Sequence, residues 1–382
     1  MSEEQVVVGN GGATDTAKLP KISTMEIRVH KIASVVHRMT LHKDERVVTE
    51  NLESKPGNVV VVRALGEKTT YGELELEEGR MAKIFEGDII IGALGARNAL
   101  KGYVGKVPDT IKSGDVLNML NLGGVIGVCT SANKDLGAPL KVEVVGMIMR
   151  KGRILNLVDS SIPDHERIEP GMNIPIVAVS GTCMNAGKTK AVAELCQLLS
   201  QRGLRVHAGK LSGVAARRDL FSFEDHGARK TLSFVDTGLA STAGLETIAD
   251  ISKTIINGLA EDKPDVIILE LGDGIIGGYA VITYFDDEDI YKHTKVHICC
   301  ANDPVGAFGA KRIFDDRGQR IDIISGPATD NEVGRAYIEK MLGITAVNAR
   351  TDPEVLADEV CKRLGMHELV GLRDEGPLAE QA

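Results

Sequence analysis

Residues 174–189 read IPIVAVSGTCMNAGKT, and a helical pattern follows to about Gln201. An apolar run, a glycine-bounded loop and an amphipathic helix in that order make a phosphate cradle. The strand delivers the chain, backbone N–H groups of the loop converge on an anion, and the helix N-terminus adds its dipole. Lys188 then stands where it neutralises the β and γ phosphates of a nucleotide, and Thr189 where its hydroxyl holds Mg²⁺. Gly181, Thr182, Asn185, Ala186 and Gly187 form the cradle around them. The spacing is one longer than the common form, with five residues rather than four between Gly181 and Gly187.

Downstream of this stretch, apolar runs alternate with helical patterns. Strands are expected at 204–211, 265–271, 295–300, 321–324 and 344–347, and helices at 245–260, 305–314, 331–342 and 353–364. Continuous apolar strands joined by helical crossovers predict a mainly parallel sheet covered on both faces, an α/β domain of three layers over 174–365. Upstream, residues 25–165 carry short β-branched runs separated by Gly-Asp and Gly-Asn turns, and no long helical period. EGDIII (86–91) and SGDVLN (113–118) repeat one turn-into-strand pattern, so a smaller, antiparallel, barrel-like β-rich domain is expected there. The stretch 162–173, IPDHERIEPGMN, with two prolines, a charge cluster and a glycine, reads as the linker. Residues 1–24 and 366–382 are polar and read as a disordered lead-in and a tail.

The 382 residues carry 45 Lys+Arg against 54 Asp+Glu, a net charge of −9, and show no basic block or aromatic-interleaved basic stripe, so nucleic acid is not an expected partner. No apolar stretch reaches the roughly 18 residues of a membrane span, and the N-terminus lacks the apolar core of a secretory signal, which gives a cytoplasmic expectation. Six cysteines without a Cys-x-x-Cys pair suggest neither a zinc ribbon nor a disulfide framework.

The loop GTCMNAGKT resembles the nucleotide loop of dethiobiotin synthetase and its relatives, including cobyrinic acid a,c-diamide synthase, within the P-loop NTPase superfamily. That resemblance covers about residues 174–348. It implies a second phosphate-side lysine at Lys210. It also implies a metal-shell role for Glu270, followed by a glycine-rich segment (272–278) that approaches substrate, and an Asn, here Asn302, against the base. On the residues alone, Glu270 closes a buried strand, where a carboxylate needs a cation or donors, and strand C-termini are where open α/β sheets bind ligands. The implied cofactors are ATP and Mg²⁺, and the implied assembly is a homodimer.

A further acid is expected between Lys210 and Gly244, with Asp219, Asp225 and Asp236 as candidates and Asp236 favoured for the metal shell. Asp273 either shares the metal or forms an Asx turn. Gly274 and Gly277 shape the substrate side. In the β-rich half, Arg97 and Lys101 lie in a glycine-bounded loop that either completes an acceptor site across the domain junction or is a solvated hairpin turn. The expected function is an ATP- and Mg²⁺-dependent ligase that activates a small-molecule carboxylate or carbamate for attack by a nitrogen nucleophile. Lys188, Lys210 and Glu270 carry the chemistry in that reading. The alternatives are a small-molecule kinase, a nucleotide switch or chaperone acting on a partner protein, and an acyltransferase that keeps the loop for the diphosphate of a CoA-like ligand.

Overall fold

The computed structural model describes residues 24–372. The lead-in expected over 1–24 lies outside the described residues except for Thr24, which opens a strand (Thr24–Arg28). Of the tail expected over 366–382, residues 366–372 are described and include a 3-10 turn at His367–Leu369.

The first half is built on β1 (Val59–Ala64), β2 (Ile89–Leu94), β3 (Val116–Met119), β4 (Val125–Ala132) and β5 (Lys141–Arg150). Their hydrogen bonds run β5 to β1, β1 to β2, β2 to β4, β4 to β3 and β3 back to β5, so the five strands close on themselves. Closure removes the free edges of these strands and gives the expected barrel. Val59 to Val62 and Ile90 to Leu94 are buried throughout, because flanking segments cover the outer face while side chains fill the inside. The barrel is not antiparallel all round: β2 runs parallel to β4. The chain between them makes a hairpin (Arg97–Asn98 with Tyr103–Lys106) and then β3, a crossover long enough to return in the same direction.

The second half is a seven-stranded sheet with every pairing parallel. In chain order its strands are β6 (Ile176–Gly181), β7 (Val206–Lys210), β8 (Lys230–Ser233), β9 (Val266–Glu270), β10 (Thr294–Cys300), β11 (Ile323–Ser325) and β12 (Thr345–Ala346). In space they lie β8-β7-β9-β6-β10-β11-β12, which puts the phosphate-loop strand in the middle. Successive side chains of a strand point to opposite faces. Val177 and Val179 pack with α1 (Lys188–Gln201) and α6 (Pro353–Leu364), while Ile176 and Ala178 belong to the core shared with α3 (Ala249–Ala260), α4 (Pro304–Asp315) and α5 (Glu332–Leu342). Two covered faces explain why these strands read as unbroken apolar runs. β8 and a short helix α2 (Arg218–Asp225) fall where the sequence predicts only a loop.

The stretch 162–173 is fastened rather than slack. The Ile168 N–H donates to the Asp289 carboxylate (2.7 Å), the Glu169 N–H donates to the Asn257 side chain (3.0 Å), and Ile168 and Met172 are buried. No helix among the described residues is long and apolar enough to cross a membrane.

Candidate functional site

The loop between β6 and α1 keeps its shape through two left-handed residues, Asn185 (φ 61°) and Gly187 (φ 96°). Gly187 is the N-cap of α1, and its positive φ turns the chain into the helix at a conformation that a side chain would strain. The Thr182 N–H donates to Cys300 O at 2.8 Å, which ties the loop to the end of the neighbouring β10. Asn302 lies on this flank, its amide donating to Cys183 Sγ at 2.8 Å. Lys188, in the first turn of α1, is buried, and its ammonium donates to Cys183 O at 2.8 Å, inside its own loop.

Across from Lys188, the Thr189 hydroxyl donates to both carboxylate oxygens of Glu270, at 3.0 and 3.2 Å. These are hard oxygen donors, one at the C-terminal end of β9 and one in the first turn of α1, and oxygen is the donor chemistry that Mg²⁺ takes. Burial pushes the Glu270 carboxyl above the usual carboxylate range, and Lys210 opposes that shift. Lys210, at the end of β7, ion-pairs with Asp219 of α2 and stands 3.9 Å from Glu270. Burial alone would favour a neutral amine there, but Asp219 and Glu270 hold it firmly protonated. Lys210 in turn keeps Asp219 ionised despite its burial.

A cavity of about 380 Å³ opens beside these groups, within the range of small-molecule pockets. Lys188, Glu270 and Asp273 line it from the α/β half, and Tyr71, Arg97 and Asn121 from the barrel half. The two halves meet closely here: a Cβ on Gly123 would stand 1.9 Å from Ala215 O, so only glycine fits. The Asn121 amide donates to Ala215 O at 2.6 Å, and the Asn98 N–H donates to the Tyr279 hydroxyl at 2.9 Å. Gly274 packs against Thr182 O, and the Ile275 N–H donates to Gly181 O at 2.9 Å, so the glycine-rich segment lies on the phosphate loop. Gly277 lies beside the Asp273 carboxylate.

Two of the expected site residues are elsewhere. Asp236, favoured for the metal shell, caps a 3-10 turn through the Ser233 N–H (2.7 Å) and accepts from Arg38 (3.0 Å), with the His37 ring 3.6 Å away. It clamps the barrel half to the α/β half. Burial alone would raise its pKa, but these donors hold it below the usual range. Lys101 is an exposed turn residue outside the cavity. Three groups at the site went unread in the sequence: Glu75, Tyr71 and Tyr279. Glu75 is fully buried and accepts from the Arg217 and Arg218 N–H groups, both at 2.7 Å, and from the Ser34 hydroxyl. A Glu-Leu-Glu run carries no signal that one of its acids will cap a helix over a hundred residues away.

No family model matches this sequence, and no curated protein does. Among solved structures, the chain is similar to the signal recognition particle 54 kDa protein from Aeropyrum pernix K1 in complex with GDP, at 17% identity and a TM-score of 0.35, over 53% of this chain and 49% of that one. Chloroplast FtsY from Physcomitrella patens gives 11% identity and 0.35, over 50% and 62%. The signal recognition particle receptor FtsY from Elizabethkingia anophelis gives 12% and 0.34, over 47% and 59%. The matches span about half to three-fifths of those chains. The parallel sheet with its glycine-bounded loop running into α1 is a P-loop NTPase fold, preceded here by a β-barrel. The narrower resemblance to dethiobiotin synthetase gains no support from these comparisons.

Proposed function

We propose that this chain binds a magnesium nucleoside triphosphate on residues 180–189 and passes the γ-phosphoryl group to a small polar acceptor held between its two halves. The observation that carries the reading is one shared cavity, with Lys188, Lys210 and the Thr189–Glu270 pair on one wall and barrel residues on the other. Thr189 and Glu270 would hold Mg²⁺, which when bound would neutralise charge on the phosphate oxygens. Lys188 leaves Cys183 O to meet the β and γ phosphates, and Lys210, kept protonated by Asp219, faces the charge that builds on the transferring group. The walls orient the acceptor beside the transferring group. A carboxylate or carbamate acceptor followed by a nitrogen nucleophile makes this a ligase; a stable phosphorylated product makes it a kinase.

A second reading, a nucleotide switch acting on a partner protein, draws on Glu75. This barrel carboxylate holds the N-terminus of α2, whose Asp219 pairs with Lys210, so a change at the γ-phosphate has a short route into the barrel.

Thermal-shift titration with ATP and with GTP, each with Mg²⁺, tests the nucleotide site. At a hundredfold excess over Kd, a bound ligand adds about 2.7 kcal/mol and raises Tm. Lys188→Met is expected to abolish the shift. No shift with either nucleotide, or a variant that shifts as the parent does, refutes the site. Phosphate release that requires a small acid or amine favours the acceptor reading, and release stimulated only by a protein favours the switch.

A further inference from the structure

Two buried charges in the cavity, Arg97 and Asp273, make no ion pair among the described residues. Arg97 is 5% exposed; its guanidinium donates to Leu120 O and to the Tyr71 hydroxyl (3.2 Å) and lies over the Tyr71 and Tyr103 rings at 5.4 and 5.9 Å. It meets no carboxylate within ion-pair distance among the described residues, and its Nε has no partner. Asp273, from the other half, is 9% exposed and sits at φ 67°. Burial raises its pKa, and the charge of Lys188 and then the Gly274 amide oppose that rise, yet neither makes a hydrogen bond of regular geometry to it and both carboxylate oxygens are unsatisfied. Arg97 and Asp273 feel each other's charge without touching. A buried charge without a counter-charge is costly, and a buried acceptor without a donor costs about 1–3 kcal/mol.

Resting on the acceptor pocket proposed above, we infer that these two residues bind a small zwitterion of the α-amino-acid class, its carboxylate on Arg97 and its ammonium on Asp273. One molecule with opposite charges at its two ends supplies both missing partners and spans a gap too wide for a direct ion pair. Arg97 offers a fixed planar fork, stacked and anchored, of the kind that matches a carboxylate. The Asp273 end lies against the phosphate loop, since the segment that carries it packs on Thr182 and bonds to Gly181. The ligand's nitrogen therefore faces the nucleotide and its carboxylate faces the barrel.

Isothermal calorimetry on the full chain tests this, with and without Mg²⁺ and a non-hydrolysable triphosphate. The probes are the standard amino acids, the matching carboxylic acids without the amine, and the matching amines without the carboxylate. At least one amino acid is expected to bind saturably, at least tenfold tighter than both of its singly charged counterparts. Asp273→Asn keeps the side-chain shape and tolerates a positive φ, and Arg97→Gln keeps a polar stem. Each is expected to weaken that amino acid at least tenfold while nucleotide binding is retained and changes by a smaller factor, with unchanged circular dichroism confirming the fold. Singly charged probes that bind equally well, binding unchanged in both variants, or a panel that fails while nucleotide binds would each overturn the inference. So would an Asp273→Asn variant that loses Mg²⁺ and keeps the amino acid. Failure of the nucleotide itself, with amino-acid binding intact, overturns the triphosphate site alone.

Discussion

His297 is enclosed in the α/β core, with Nε2 2.7 Å from the Ser180 hydroxyl, Nδ1 2.9 Å from Arg320 O, and the Phe285 and Phe314 rings at 4.3 and 4.6 Å. Burial lowers its pKa from 6.5 to about 4. Between those values the unfolded chain binds the extra proton and the folded chain does not, so stability rises with pH across that window. It falls on acidification, by about 3 kcal/mol at most for a shift of this size. Urea titrations from pH 7 to 4 are expected to show this slope, and His297→Gln should flatten it; an equal slope in the variant would count against it. Residues of this kind divide the legible from the illegible. Glu270 could be read because an acid closing the apolar run DVIILE has few structural uses. Between Asp219 and Asp236 the sequence favours Asp236, although neither position carries a local signal of what lies beside it in space. The choice between them depends on α2 folding back over Lys210 and on Arg38 arriving from a distant segment.

At the scale of elements, helices with a full amphipathic period were foreseen to within a few residues, as with Pro353–Leu364 and Lys188–Gln201. α2 escaped because eight residues give barely two turns, too short for a period to stand out. Its stability comes from Glu75, whose buried carboxylate meets two N–H groups at the helix N-terminus, where negative charge is favoured. Glu75→Gln keeps the shape but loses the charge at both bonds. A loss of about 3 kcal/mol is expected, since hydrogen bonds to charged groups contribute about 1.5–3 each. Urea midpoints measure that loss, and nucleotide turnover is expected to fall with it as Asp219 loosens from Lys210. A variant as stable as the parent would show that α2 stands without this cap.

For the whole molecule, the sequence separated a β-rich half from an α/β half by a change of rhythm, and both architectures were legible for that reason. The contact between them was not, because close approach depends on residues such as Gly123 and Asn121 that read as ordinary turn positions. The barrel core and one face of the parallel sheet form a single hydrophobic cluster, bridged by the Asp236 clamp. Thermal unfolding followed by circular dichroism and by tyrosine fluorescence is therefore expected to give one coincident transition, and two separated transitions would refute that continuity.

The Lys188 ammonium rests on Cys183 O, a neutral acceptor inside its own loop. On the triphosphate reading proposed above, binding at this lysine is a swap of acceptors, in which phosphate oxygens must replace that carbonyl.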